Sequence, residues 1–294
     1  MPNIGSPRAI PSPPVPIFHA IVLGLVQGLS EFLPISSSGH LLLVPWLFGW
    51  HDFEGYEGAD SIEKAFDVAL HLGTLIAVVA YFRRELAVYI REGVLLVIRR
   101  DRPATVEGRI AWLLLLATVP AAIVGALFEQ QIDDHLGKPW LIGVSMIVFG
   151  LLLWWADQQK GTRRLEDLGT MDAVKVGAAQ ALALNPGTSR SGITITAARW
   201  LGFDRDSAAR LSFLMSVPVI TGAVFFKAVK LARDGIPDGL VWPMIVGIIT
   251  SAIAGWFAVW GTLKLIRTHS FLPFVIYRVL LGIAVLCIAA SSWR

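Results

Sequence analysis

Thiol chemistry is nearly missing from this chain. Cys287 is the one cysteine in 294 residues, which excludes an internal disulfide framework and leaves it as a lipid- or core-facing side chain. Charge is scarce too. Asp, Glu, Lys and Arg make 16% of the residues against 55% hydrophobic ones, and a mean hydropathy of +0.63 is too apolar for a water-soluble fold. The net charge of +3 is small and the basic residues gather in particular loops. Membrane orientation therefore explains them better than nucleic acid binding, and no nucleic acid partner is expected. The first sixteen residues lack an apolar core and hold six prolines, which argues against a signal peptide or a helix. Residues 1–16 read as a disordered Pro-rich tail, and 17–294 as a single membrane domain.

Six apolar runs can cross a hydrocarbon layer of roughly 30 Å: 65–82, 110–128, 140–156, 211–229, 240–263 and 273–290. Four further apolar pieces, 17–33, 41–49, 173–184 and 193–201, are interrupted or too short. They suit half-helices that enter the bilayer and turn back, which backbone chemistry permits only inside protein or beside a water-filled cavity. The tryptophans Trp46, Trp112, Trp140, Trp200 and Trp242 fall near span ends, as an interfacial belt would. Thr118, Pro120 and Pro218 read as packing kinks, and His71 as structural.

Two of the interrupted stretches repeat one another. Gly24, Gln27, Leu29, Ser36, Ser38 and Gly39 match Gly177, Gln180, Leu182, Ser189, Ser191 and Gly192 at a single offset of 153 residues. Loop charges give the orientation. The 83–109 connection holds seven arginines, and Lys160, Arg163, Arg164 and Lys175 follow later, so both segments are expected in the cytoplasm. The acidic 49–64 and 129–139 loops and both termini then lie outside. Three spans separate the two copies, and an odd number of crossings inverts the second. The expected fold is an all-α integral membrane protein. It has six full transmembrane helices and two re-entrant helix-loop-helix hairpins, arranged as an inverted-topology repeat of about 17–156 and 173–294.

The hairpins carry the chemistry. Gln27 and Glu31 share a helix face, Pro34 stops the helix, and Ser36-Ser37-Ser38-Gly39 offers a cap for the next one at His40. In the second copy Pro186-Gly187 is the break and Thr188-Ser189-Arg190-Ser191-Gly192 leads into a helix with Thr194. The free amides at the start of such a helix bind anions, and Arg190 presents a planar fork matched to phosphate oxygens. Converging hairpins would form a phosphate site with a hydroxyl nucleophile candidate in Ser37, a carboxylate in Glu31 and an imidazole in His40. Gln27, Ser36, Ser38, Gly39, Gly187, Thr188, Ser189, Ser191 and Thr194 would bind substrate. Capping is the plain reading of Ser36, Ser38, Ser189 and Ser191, and a structural ion pair with Glu31 that of Arg190. Inverted repeats of broken helices also build secondary transporters, so transport or lipid flipping is the rival function.

The segments Gln27-Gly28-Leu29-Ser30-Glu31-Phe32-Leu33-Pro34-Ile35-Ser36-Ser37-Ser38-Gly39-His40 and Pro186-Gly187-Thr188-Ser189-Arg190-Ser191-Gly192-Ile193-Thr194, with the 273–278 stretch, resemble the undecaprenyl-pyrophosphate phosphatases, also called bacitracin-resistance proteins. The resemblance implies hydrolysis of a polyprenyl diphosphate to its monophosphate and inorganic phosphate, recycling the lipid carrier for cell-wall synthesis. It implies Ser37 as nucleophile, Arg190 as phosphate clamp, Glu31 with the Gln27 position as an acid/base or metal-facing pair, and His40 as a general base. A divalent cation, Mg or Ca, at Glu31 is the one cofactor it admits, with no organic cofactor. The partners expected are the lipid substrate, membrane lipids and a second copy in a homodimer. The expected location is the bacterial inner membrane, with the site near mid-bilayer opening outward. Many members carry Glu where this chain has Gln27, and an amide cannot take a proton as a carboxylate does, which leaves Glu31 to act alone. Another group of membrane lipid phosphatases pairs Ser-Gly-His with a later Ser-Arg and a catalytic His. Here Ser189-Arg190 runs into Gly192-Ile193-Thr194 instead.

Overall fold

The computed structural model describes residues 15–54, 58–99, 103–237 and 239–291. Residues 1–14 of the expected tail lie outside these, while Val15 packs into a cluster with Leu23, Leu41, Phe66 and Leu70.

Eleven α-helices make up the described chain: α1 Ile17–Phe32, α2 Ser37–Phe48, α3 Ala59–Tyr81, α4 Arg83–Ile98, α5 Val106–Leu136, α6 Pro139–Asp157, α7 Thr170–Ala181, α8 Arg190–Trp200, α9 Arg205–Asp234, α10 Val241–Ile266 and α11 Leu272–Ala289. Five stretches are long and apolar enough to cross a membrane: Val106–Phe128, Pro139–Asp157, Arg205–Leu231, Val241–Ile266 and Leu272–Ala289. They correspond to five of the six expected spans.

The sixth, α3, is coupled to α4 by a bend of 84°. Here the sequence reading needs correcting, because the Arg-rich connection after residue 82 is largely helical rather than a loop. Its charges disguised it. Val88, Ile90, Val94 and Val97 are exposed, as on a helix lying along an apolar surface. The acidic 129–139 segment is likewise mostly helix, since α5 continues to Leu136 beyond non-helical dihedrals at Phe128.

Local chemistry sets the ends. Asp204 accepts from the Ser207 amide at 2.7 Å to start α9, and Thr105 accepts from the Gly108 amide at 3.1 Å to start α5. Gly49 closes α2 in the left-handed region at φ 65°, where glycine carries no side-chain penalty. Four of the five expected belt tryptophans, Trp112, Trp140, Trp200 and Trp242, are exposed.

Small residues let the helices approach, which matters where apolar burial gives no drive between helices already in lipid. α1 packs on α10, and a Cβ built on Gly28 would stand 2.5 Å from the Ser251 carbonyl oxygen. α7 packs on α5, where a Cβ on Gly177 would stand 2.4 Å from the Ala117 carbonyl oxygen. α3 meets α10, with the Ser251 hydroxyl donating to the Leu70 carbonyl at 2.8 Å. At one end of the bundle, buried Asp157 ties Arg205 at 2.7 Å, Arg199 at 3.4 Å and the Phe271 amide at 3.1 Å, joining α6, α8, α9 and α11.

Gly28→Val is expected to wedge α1 off α10 and lower the thermal midpoint in detergent, by about 1–3 kcal/mol of overpacking. Gly261→Ala, within α10 where an added Cβ meets nothing within 4 Å, is the control and is expected not to lower the midpoint.

Candidate active site

Leu33 leaves α1 in extended conformation, and Pro34, which has no amide proton to continue the ladder, fixes the break. The chain re-enters a helix at Ser36. In the second hairpin Asn185 is extended, Gly187 takes φ 91°, and the next helix begins at Ser189. Ser36 (φ 78°) and Ser189 (φ 73°) are the non-glycine residues with positive φ among the described residues. They are the pair that the offset equates. Backbone held in this region is strained, and surrounding bonds must enforce it.

Those bonds tie the two bends together. The Ser36 hydroxyl oxygen accepts from the Gly39 amide at 3.3 Å and, across the repeat, from the Gly187 amide at 3.0 Å. The Ser189 oxygen accepts from the Gly192 amide at 3.0 Å, and the Ser191 hydroxyl donates to the Leu33 carbonyl at 3.0 Å. Gly187 must be glycine twice over, since a Cβ there would also lie 2.6 Å from the Ile142 carbonyl oxygen.

Arg278, fully buried in α11, completes the fastening. Its guanidinium donates to the carbonyls of Pro34 at 3.1 Å, Gly187 and Thr188 at 2.9 Å each, and Met146 at 3.2 Å. It serves the carbonyls that the broken helices leave unpaired. An arginine within an apolar span was the signal for this residue, and the sequence reading assigned it no role.

Glu31 stands at the centre of the polar cluster and is 5% exposed. Its Oε1 accepts from Arg190 Nη2 at 2.9 Å, an ion pair between the hairpins. Its Oε2 accepts from the Ser37 hydroxyl at 2.5 Å and from the Gln27 amide nitrogen at 3.1 Å. His71 Nε2 lies 3.6 Å from that same oxygen. Arg190 Nη1 donates to the Ser212 carbonyl at 2.7 Å, while the Thr194 hydroxyl bonds the Arg190 carbonyl and the Ser212 hydroxyl at 2.8 Å each. Ser37, Glu31, Arg190, Gln27 and Thr194 are thus brought together.

Other expected residues are placed differently. His40 has both ring nitrogens engaged, by the Ser36 carbonyl and the Tyr277 hydroxyl at 2.7 Å each, and its ring stacks on Tyr277. Neither nitrogen addresses Ser37 or Glu31. Ser36, Ser189 and Ser191 serve as caps and cross-ties, Gly39 and Gly187 as close-approach positions, and Thr188 accepts from the Asn185 side chain at 3.1 Å. Ser38 lies half-buried in the first turn of α2. The repeat has also diverged. Glu31 corresponds to Leu184 and Ser37 to Arg190, so one copy carries the acid and hydroxyl and the other the cation.

Chemically, the cluster holds a hydroxyl donating to a carboxylate, with an arginine and two helix starts beside it. That is equipment for a reaction at a phosphate: an activated nucleophile and fixed positive charge. Among the described residues no group of three His, Cys, Asp or Glu side chains is placed to hold a metal.

The family described as "Bacitracin resistance protein BacA" matches residues 20–284. The chain is 45% identical over 276 residues to an undecaprenyl-diphosphatase of Pelotomaculum thermopropionicum, covering 94% of this chain and 97% of that one. It is 47% identical over 272 residues to one of Geobacter sulfurreducens, with 92% and 97% covered, and 45% identical over 273 residues to one of Moorella thermoacetica, with the same coverage. With the motifs, the meeting of the bends and these similarities in agreement, the chain belongs to the bacitracin resistance protein BacA family.

Proposed function

We propose that the protein is an undecaprenyl-diphosphatase, hydrolysing undecaprenyl diphosphate to the monophosphate and inorganic phosphate within a bacterial membrane. The observation that carries this reading is the Ser37–Glu31–Arg190 contact, in which a hydroxyl and a cation from opposite hairpins meet on one buried carboxylate.

The diphosphate enters between the hairpins, and Arg190 with the first-turn amides of α2 and α8 neutralises it. Ser37 Oγ attacks the terminal phosphorus while its proton passes to Glu31 Oε2. The bridging P–O bond breaks, and its electron pair leaves with the lipid monophosphate. Water then attacks the phosphoserine, the Oγ–P bond breaks, and Ser37 recovers a proton as phosphate departs. Attack by water directly, with Ser37 only a hydrogen-bond donor, is the competing route. Glu31 is one carboxylate already holding an arginine, which does not make a resident metal site, so no step is routed through a metal.

The inverted repeat is supported by packing that survives exchange of the halves. Pairing α1 with α7, α3 with α9, α5 with α10 and α6 with α11 maps the α1–α10 contact onto α7–α5 and the α3–α10 contact onto α9–α5. The α3–α9 and α6–α11 contacts map onto themselves. The orientation is supported by Arg109, which donates to the Glu166 carbonyl at 2.7 Å and so puts the two basic connections at the same end. At the other end Lys230 of α9 meets Ser61 of α3 at 3.0 Å. On this reading the basic end is cytoplasmic, the termini are outside and the site opens to the outer face.

Purified protein in detergent is expected to release phosphate from a polyprenyl diphosphate. Arg190→Ala and Glu31→Gln should each lower kcat/KM by about 10²–10³-fold, the size of a lost transition-state contact. Native protein inactive across several detergents and lipids would instead favour a transporter. Acid quenching during turnover should trap phosphoserine at Ser37, and near-normal turnover by Ser37→Ala would hand the chemistry to water. Reporter fusions in the Arg99–Arg102 connection should read cytoplasmic; an external signal there would reverse the topology.

A further inference from the structure

His71 has no part in the scheme above, yet it is the nearest imidazole to the reacting carboxylate. Its Nδ1 lies 2.7 Å from the Asp67 carbonyl oxygen. A carbonyl only accepts, so Nδ1 carries the hydrogen and the other nitrogen of the neutral ring has a bare lone pair. That nitrogen, Nε2, faces Glu31 Oε2 at 3.6 Å. A lone pair so placed can take a proton that arrives on Oε2. Oε2 is also the atom that accepts the Ser37 hydroxyl at 2.5 Å.

We propose that His71 is a positioning residue that completes a proton relay, taking from Glu31 the proton that Glu31 takes from Ser37. The proposal rests on the hydrolase reading and deepens it. As the Oγ–P bond forms and the bridging P–O bond breaks, the Ser37 proton moves to Oε2 and then to Nε2. Hydrolysis of the phosphoserine returns one proton of the attacking water to Ser37 and leaves the other on the phosphate. One proton therefore leaves for the medium by way of His71 in each turnover.

Gln27 explains why the relay needs an imidazole. Its amide nitrogen donates to Oε2 at 3.1 Å and orients the carboxylate, but an amide cannot take the proton away. His71 is the group at this oxygen that can. The resting separation of 3.6 Å exceeds a hydrogen bond, as catalytic contacts often do before substrate is bound. The side chain is 27% exposed rather than sealed in the core. Asp67 and Glu63 continue along α3 at four-residue spacing, on the same face and toward the Gly58 end.

The charged groups around His71 are Glu31 from α1, with Arg190 of α8 behind it, and Asp67 and Glu63 on α3 itself. α10 meets the neighbouring turn of α3, at Gly73, through Ile248, Ser251 and Ala252, and α9 brings Lys227 and Lys230 near Ser61. The relay requires Nε2 to hold no hydrogen when the Ser37 proton reaches Oε2.

The test is kcat and KM for phosphate release from a polyprenyl diphosphate, comparing native protein with His71→Gln. Glutamine keeps a polar contact with Oε2 but cannot carry a proton. The expected outcome is a kcat at least about 10²-fold lower with KM within about threefold. Native phosphate release with an unchanged kcat in His71→Gln overturns the relay and leaves the hydrolase reading standing. Native protein with no phosphate release removes both. Should His71→Gln not fold, His71→Asn is the second variant, with the same fall in kcat expected and a native kcat overturning the relay.

Discussion

The ion pair between Glu31 and Arg190 is the point at which the halves of the molecule become one site. Each charge alone is costly at membrane depth, roughly 2.5–3.5 kcal/mol even on permissive insertion scales. They lie 2.9 Å apart with side-chain exposures of 5% and 14%, and each has further partners, Ser37 and Gln27 on the acid and the Ser212 carbonyl on the base. A buried pair of this kind is weak evidence for stability, because desolvation offsets most of the attraction. It is better understood as a resting state. In the proposed reaction a diphosphate brings its own negative charge to Arg190, and the carboxylate so released is the one already bonded to Ser37.

The backbone around that pair must find its hydrogen bonds within the protein, since hydrocarbon offers none. The breaks after α1 and before α8 leave carbonyls and amides without helical partners. Arg278 takes three carbonyls at the breaks, Ser36 and Ser189 cap the helix starts, and Ser36 and Ser191 cross to the other hairpin. The strain at the two serines is the geometric consequence. A chain reversing within a few residues and starting a helix at once needs positive φ, and the cap oxygen that enforces it comes from the same residue. One type of bend, used twice, thereby sets hydroxyl and guanidinium at equivalent positions around one buried carboxylate.

Much of this was legible in the sequence, because spans, breaks and caps are local. Composition fixed the solvent, Pro34 and Pro186-Gly187 marked the breaks, and the offset of 153 residues paired Ser36 with Ser189. The misses were of another kind. The charges of α4 were counted as an orientation signal, and they hid a helix whose apolar face is exposed. His71 and Arg278 lie in runs that read as spans, and nothing in their neighbours' identities says that one points at Glu31 and the other at two backbone breaks. His40 shows the converse. Its place in the first hairpin and in the family motif drew it toward catalysis, whereas its nitrogens are taken by Ser36 and by Tyr277, a residue 237 positions away. Residue type and spacing report which groups are present, and only tertiary packing decides which atom faces which.

The most direct measurement of the central claim is a double-mutant cycle on the affinity for a non-hydrolysable polyprenyl methylene-diphosphonate, using Glu31→Gln, Arg190→Gln and the pair. If Glu31 and Arg190 share one headgroup site, removing the acid frees the arginine and tightens binding. The same change has no effect once the arginine is gone, giving a coupling of about 1 kcal/mol or more. Effects that add within roughly 0.3–0.5 kcal/mol would mean that the two residues serve separate places, and the account built on their contact would fail.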